Sequence, residues 1–590
     1  MPKHHLQPID WIIIGTYLAV SMGIGILLAR RAGSSTKEFF ISGRNLPWWI
    51  AGTSMVATSF ASDTPLLISG WVREHGLWFN WMWWCFGISH LLAVFYLARL
   101  WRRAGVTTDV ELAELRYSGT SARLIRGVKG AYFAAVVNTI AMTWVLLGMS
   151  KILKVTLGVE KWEAVAICAG VAVLYAAISG FWGVVMTDLL QFVIAMVGSI
   201  ALAVIAVSRM GGMEKVLEEI GKLDGGTERL SLLPPAGDAS LGFFEQPIFL
   251  IAVLLAVQWW SWQNADGGGI IIQRMSACKD ERHSVLATLW FTIAHYALRP
   301  WPWIIVALVS LVAMPELEDH EQAYPLMMVK YLPPGLFGLM IASLLGAFMS
   351  TIDSQLNLAS AYFVNDVYRR FLWRDRTDRH YVLVARIATV SFMALAALLA
   401  WRQESISELF TLILALASGA GAVLLLRWFW WRVNGWSEMA AMLTSVVVAG
   451  SIHLFAPEDS PWRAGGLAHG RVIVATVGMS LIVWMGVTLL TPPVSMETLV
   501  SFYRKVRPPG FWGPVARAAG VTHRRERGVF LRFTGGLLFL FGLTFGIGKA
   551  LLLDPAAAGV AFGASLLGLV LLWGTRRGSV TRVVQGDSSG

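Results

Sequence analysis

Apolar runs of about twenty residues, each ended by a short charged or Pro/Gly-containing stretch, recur from one end of this chain to the other. A run of that length crosses roughly 30 Å of hydrocarbon as an α-helix, so the pattern predicts an all-α polytopic membrane protein. Fifteen runs are expected to span: 11–29, 47–70, 78–98, 124–150, 162–180, 184–208, 246–273, 286–314, 335–363, 382–401, 407–430, 437–454, 471–490, 530–549 and 556–574. The first is followed by Arg30 and Arg31 rather than by a small-residue cleavage site, and is read as a retained helix.

Two runs carry signals against an unbroken helix. In "SFASDTPLL" (59–67) Asp63 stands two residues before Pro65, and in "WQNADGGGII" (262–271) Asp266 leads three glycines. Proline removes a backbone donor and clashes with the preceding turn, while each interior glycine costs roughly 1 kcal/mol. Either break alone also fits a simple kink. With the first run set aside, however, they are numbers one and six of a ten-helix series, the arrangement of two five-helix inverted repeats whose discontinuous helices frame sites near the midplane. The expected organisation is a peripheral helix and loop (1–46), a first repeat (47–208), an extracellular loop (209–245), a second repeat (246–435), and four extra helices with a basic loop and tail (436–590).

Composition agrees: 56% of the 590 residues are hydrophobic and only 14% charged, with mean hydropathy +0.61. With the N-terminus outside, the cytoplasmic loops and tail hold about thirty Lys and Arg against about a dozen on the other side. This predicts a multi-pass protein of the cell membrane with a cytoplasmic C-terminus, and it explains the net charge of +11 without a nucleic-acid partner. The Trp-rich stretches "WFNWMWW" (78–84) and "WFWWRVNGW" (428–436) lie at run ends, where interfacial aromatics are expected. Cys85, Cys168 and Cys278 are too scattered for a disulfide framework or a zinc site. The basic, Pro/Gly-rich segment 492–528 is expected to lie against anionic lipid headgroups. No feature calls for an obligate protein partner.

The chemistry concentrates in "GAFMSTIDSQLN" (346–357). On a helix Ala347, Ser350, Thr351 and Ser354 share one face, with Asp353 beside Ser350. Hydroxyl, carbonyl and carboxylate oxygens suit a hard cation. Packing alone would explain the hydroxyls, but an ionisable Asp353 at this depth costs a few kcal/mol and marks a functional position.

Five stretches in order, "EFFISGRNLPWW" (38–49), "TTDVELAELRY" (107–117), "SGFWGVVMTDLLQ" (179–191), "QRMSACK" (273–279) and "MSTIDSQLNLASAYFVNDVY" (349–368), resemble the solute:sodium symporter family over about residues 10–435. The resemblance implies a five-plus-five, LeuT-type transporter core and sodium-driven uptake of a small polar organic solute by alternating access. It further implies a Na+ site made by the carbonyls of Ala57, Phe60 and Ala347 with the hydroxyls of Ser350 and Thr351. A second Na+ site, as in some members, would fall on Asp188, Ser350, Asp353 and Ser354, although members have a hydroxyl or small residue where Asp353 stands.

Solute residues transfer less directly, because the acidic, Gly-rich insert departs from the family's pattern. The candidates are Asp63, Thr64, Gln263, Asn264, Asp266 and Arg299. Arg299 lies midway along its span and needs an acid or a ligand as partner. A free Arg299 would favour an anionic solute, and free acids a cationic or polyhydroxyl one. His90 and Asn138 are read as interhelical contacts. An enzyme is not expected, since no HExxH, GxSxG or Cys/His constellation is present. Proton coupling through Asp188 and Asp353 is the nearest alternative. A transporter-like sensor is a further one, for which the stretch after 574 is too short to hold a signalling module.

Overall fold

The computed structural model describes residues 6–580 except 33–43, 60, 107–108, 177–180, 238–239, 241, 464–466 and 523–527. Its long helices are α1 (Pro8–Ala32), α2 (Trp48–Thr58), α3 (Thr64–His75), α4 (Leu77–Ala104), α5 (Gly119–Leu157), α6 (Lys161–Ala176), α7 (Phe181–Arg209), α8 (Pro247–Ser261), α9 (Gly269–Ala277), α10 (Glu281–Ala313), α11 (Leu336–Leu372), α12 (Asp378–Arg402), α13 (Ile406–Ala417), α14 (Gly421–Phe429), α15 (Gly435–Phe455), α16 (Ala468–Leu490), α17 (Met496–Val506), α18 (Val529–Leu551) and α19 (Pro555–Val580). Every expected span coincides with one of these helices or with a consecutive pair. Ten are individually long and apolar enough to cross a bilayer, and α13 with α14 forms another across a 45° bend.

Both expected breaks are present. The first run stops at Thr58 and restarts at Thr64, with Pro65 in the first turn of α3, where its missing N–H removes no helical bond. The second stops at Ser261 and restarts at Gly269, and Gly267 and Gly268 take φ of +126° and +69°, values closed to most side chains. Halves of this length cannot span alone, so each pair relies on its neighbours. α2 packs on α7, α9, α10 and α11, and α3 on α10. A wide turn over 294–298 precedes Pro300: Arg299 N–H donates five residues back to Ala294 O at 3.0 Å. Such turns recur beside functional sites.

Two stretches pack on protein more than the sequence alone suggests. In the Trp-rich stretches Trp78, Trp81, Trp84 and Trp428 are buried inside the protein, while Trp83, Trp430, Trp431 and Trp436 are half-buried. Trp81 stacks on Phe541 of α18, and Trp428 meets Phe502 of α17. Residues 492–522 also pack on protein through their apolar face: Leu499, Phe502, Tyr503 and Val506 are buried, Trp512 Nε1 donates to Trp428 O at 2.8 Å, and the Arg116 guanidinium lies 4.7 Å from the Trp512 ring, while Arg504 and Lys505 are exposed. Its amphipathic α17 explains this, since the basic residues alternate with an apolar face that finds the end of α14.

Candidate functional site

Where α2 ends, its last carbonyls have no helical partner and present the negative end of the helix dipole. Three groups gather there. Arg299 donates to Val56 O at 2.9 Å and to Ser59 O at 3.0 Å. Thr351 Oγ1 of α11 donates to Thr58 O at 3.3 Å. Ser350, one residue earlier, donates to Asp188 Oδ1 of α7 at 2.6 Å. Ala57 and Ala347, the other described carbonyl candidates, are buried on the same two helices, while Phe60 lies outside the described residues.

Asp188 is completely buried and engaged on both oxygens. Its Oδ2 accepts from Ser54 Oγ at 2.6 Å, Thr58 Oγ1 at 3.1 Å and Arg274 Nη2 at 3.3 Å, and Arg274 also donates to Ser54 at 2.8 Å and to Thr58 at 2.5 Å. A carboxylate here is tolerable because a cation and three hydroxyls replace its water. The network ties α2, α7, α9 and α11 together. Of the other residues suggested for a second cation, Asp353 is buried and accepts from Asn357 at 3.1 Å, and Ser354 is half-buried. Ser54, Thr58 and Arg274 were missed in the sequence; only Arg274, a cation inside an apolar repeat, gave a signal that an acid had to be near.

Both breaks border a cavity of about 250 Å³. Asp63 and Thr64 from the first break, Gln263 and Asn264 from the second, and Thr351 and Gln355 of α11 contribute to its wall, as do His90 and Asn138. The rest is strongly aromatic, with Trp83, Phe86, Trp144, Trp262, Tyr296 and Phe410. Several buried polar atoms of this wall lack a hydrogen-bond partner: Asp63 Oδ1, Gln263 Oε1, Gln355 Oε1, Asn138 Nδ2, and the Nε1 of Trp83 and Trp262. These atoms give the cavity donors and acceptors that a polar solute can engage.

Two solute candidates are elsewhere. Asp266 Oδ2 accepts from Arg427 Nη2 at 2.6 Å and Trp428 Nε1 at 3.4 Å, and its carbonyl accepts from Trp101 at 2.8 Å, so the acid belongs to a buried ion-pair cluster and not to the cavity wall. Arg299 caps α2 and lies over Trp303 and Trp83, with centroid distances of 5.2 and 5.9 Å. Two of its N–H groups donate to the α2 carbonyls, and it is not among the residues that line the cavity. His90 and Asn138, expected as helix contacts, do line it.

The model of the sodium:solute symporter family matches residues 39–445. The chain belongs to that family. This symporter is 24% identical to a sodium/glucose cotransporter of Vibrio parahaemolyticus over 76% of this chain and 85% of that one. It is 25% identical to a sodium/mannose cotransporter of Bos taurus, over 83% of this chain and 88% of that one. In fold it is similar to a substrate-bound, outward-open Na+-coupled sialic acid symporter, with a TM-score of 0.63 at 18% identity, covering 83% of this chain and 99% of that one. The symporter is therefore a multi-pass membrane transporter with an inverted-repeat core, not an enzyme, and couples solute movement to sodium.

Proposed function

We propose that the symporter drives a small polar organic solute into the cell by alternating access. Sodium is bound between the end of α2 and α11, and the solute is held in the cavity above it. The observation that carries this reading is the junction of Ser350 and Thr351 with the last turn of α2, directly before the break whose next residues, Asp63 and Thr64, line the cavity. An ion ligated by Ser350, Thr351 and the carbonyls of Ala57, Phe60 and Ala347 would fix α2 to α11 and with them one wall of the solute site. It favours one state only through differential affinity, and linkage requires solute to tighten sodium by the same factor. One charge moving across 100 mV supplies roughly 2.3 kcal/mol to drive uptake. Asp188 offers its charge to a second ion at Ser350, Asp353 and Ser354. Its pairing with Arg274 speaks for a fixed carboxylate over a proton carrier.

Calorimetric titration of the purified protein with sodium, against lithium and potassium and without any solute, tests the site. Sodium should bind selectively, and Ser350→Ala should raise the half-saturating concentration about tenfold. A response equal for sodium and potassium would remove this sodium site. A pH-driven, sodium-independent transport would replace it with proton coupling.

A further inference from the structure

The cavity wall carries charge in an unequal way. Among its described lining residues Asp63 is the only carboxylate, and there is no Lys or Arg. Asp63 is 6% exposed and its Oδ1 accepts no hydrogen bond. The neighbouring cation, Arg299, donates to Val56 O and Ser59 O and is also coupled electrostatically to Asp63, so the carboxylate shares its counter-charge with the carbonyl end of α2. The wall is otherwise rich in aromatic rings: Phe86 and Trp262 pack against each other with centroids 4.2 Å apart, Trp83 stacks on His295 at 4.8 Å, and Trp144 also lines it. An anion in water-poor space with aromatic faces around it is the arrangement that recognises an organic cation, by ion pairing and cation–π attraction together.

We infer that the solute of this symporter is a compact organic cation, an ammonium compound whose charge is held by Asp63 and whose apolar body lies against Trp83, Phe86, Trp144 and Trp262. The inference rests on the cavity being the solute site. A volume of about 250 Å³ is below the roughly 300–1,000 Å³ of drug-sized pockets, so the solute is small. Gln263 Oε1 and Gln355 Oε1 add two acceptors without partners, which suits a donor-bearing ligand. A neutral sugar would leave the carboxylate with only the counter-charge of Arg299, which is shared with the end of α2, and an anionic solute would be repelled by it.

The test uses matched probes in sodium buffer, read by calorimetry on the purified full chain: choline, its uncharged carbon isostere neohexyl alcohol, the anion tert-butylacetate, and D-glucose. Choline should bind at least about tenfold more tightly than neohexyl alcohol, and tert-butylacetate should not bind. Asp63→Asn should bring choline and the alcohol to within about twofold of each other, and Asp63→Glu should keep part of the preference. The sodium titration of Asp63→Asn without any probe should match the wild type, which also shows that the variant is folded. Absence of a choline preference in the wild type overturns the inference, whether all probes fail or glucose alone binds. So does a preference that survives Asp63→Asn, or an Asp63→Asn effect confined to the sodium titration, which would give the carboxylate to the ion. A wild type blind to sodium but selective for choline would instead sink the sodium site and leave the cation site standing.

Discussion

Asp63 and Asp266 look alike in the sequence: each is a carboxylate beside a helix breaker in a long apolar run, and the runs are the first and sixth of the core. In the folded chain they differ in kind. Asp266 is held by Arg427 and Trp428 in a cluster where Arg427 and Lys129 meet Glu438 at 3.2 and 3.0 Å, Lys129 stands 3.6 Å from Asp109, and Tyr117 donates to Glu438 at 2.9 Å. Arg116 donates to the Arg427 carbonyl beside it, so three acids are balanced by three bases. Asp63 has a buried oxygen with no partner and a cavity next to it. The difference teaches that a buried carboxylate bonded directly to a base is structural, whereas one with an unbonded oxygen, its counter-charge Arg299 shared with backbone carbonyls, keeps an acceptor for a ligand.

The sharpest way to break that comparison is through stability. Arg427→Ala would strand Asp266 and Glu438 in a water-poor interior, and should cost about 3–5 kcal/mol, measured by thermal or denaturant unfolding in detergent. Asp63→Asn removes a charge that has no fixed hydrogen-bond partner at Oδ1, and should change stability by no more than about 1 kcal/mol. Equal losses in the two variants would mean that Asp63 is as structural as Asp266.

The glycines that admit the two breaks give the next largest effect. A Cβ on Gly421 would lie 2.3 Å from the Ser261 carbonyl carbon and Trp260 O, and one on Gly148 would lie 2.7 Å from Asp63 Cα. Both obstacles are backbone, so Gly421→Ala and Gly148→Ala should each cost about 1–3 kcal/mol, with Gly421→Ala the worse. Only Gly148→Ala should weaken choline binding relative to its uncharged isostere, because it displaces Asp63. A loss of that preference in Gly421→Ala, with Gly148→Ala unaffected, would show that the second break and not the first recognises charge.

The breaks were legible in the sequence because their causes are local: Pro65 and the run Gly267 to Gly269 stop a helix whatever surrounds them. The spans were legible for the same reason, since hydrocarbon thickness sets their length. The hydroxyl face at Ser350 and Thr351 could be read from helical spacing, and its meeting with Asp188 from family resemblance. What could not be read was how each charge is shared out. Asp266 finds its base at Arg427 and Asp188 finds Arg274, partners that only the packing of distant helices brings close. For that reason Asp266 and Arg299 were placed with the solute, while the aromatic wall was read in part as a membrane belt. The extra helices at the C-terminal end hide tryptophans that sit at span ends in the sequence.

Thr351→Val should have only a small effect on stability, and it separates two roles for one hydroxyl. At 3.3 Å from Thr58 O, the Thr351 Oγ1 bond is longer than the common range for a hydroxyl donor and joins α11 to the end of α2 only weakly. A hydrogen bond of this kind contributes about 0.5–1.5 kcal/mol net, and valine keeps the shape and packing of threonine. If Thr351 served only as an interhelical contact, the variant would unfold within that range of the wild type and bind sodium normally. As an ion ligand it removes an oxygen that the ion must replace with water, so the half-saturating sodium concentration should rise about tenfold, near 1.4 kcal/mol of binding energy. Ser350→Ala should raise it by a similar factor, and it also removes the 2.6 Å bond that orients Asp188. Parallel sodium titrations and unfolding curves of the two variants decide the matter. A stability loss with unchanged sodium affinity makes Thr351 a packing residue, whereas unchanged stability with weakened sodium binding makes it part of the ion's coordination shell.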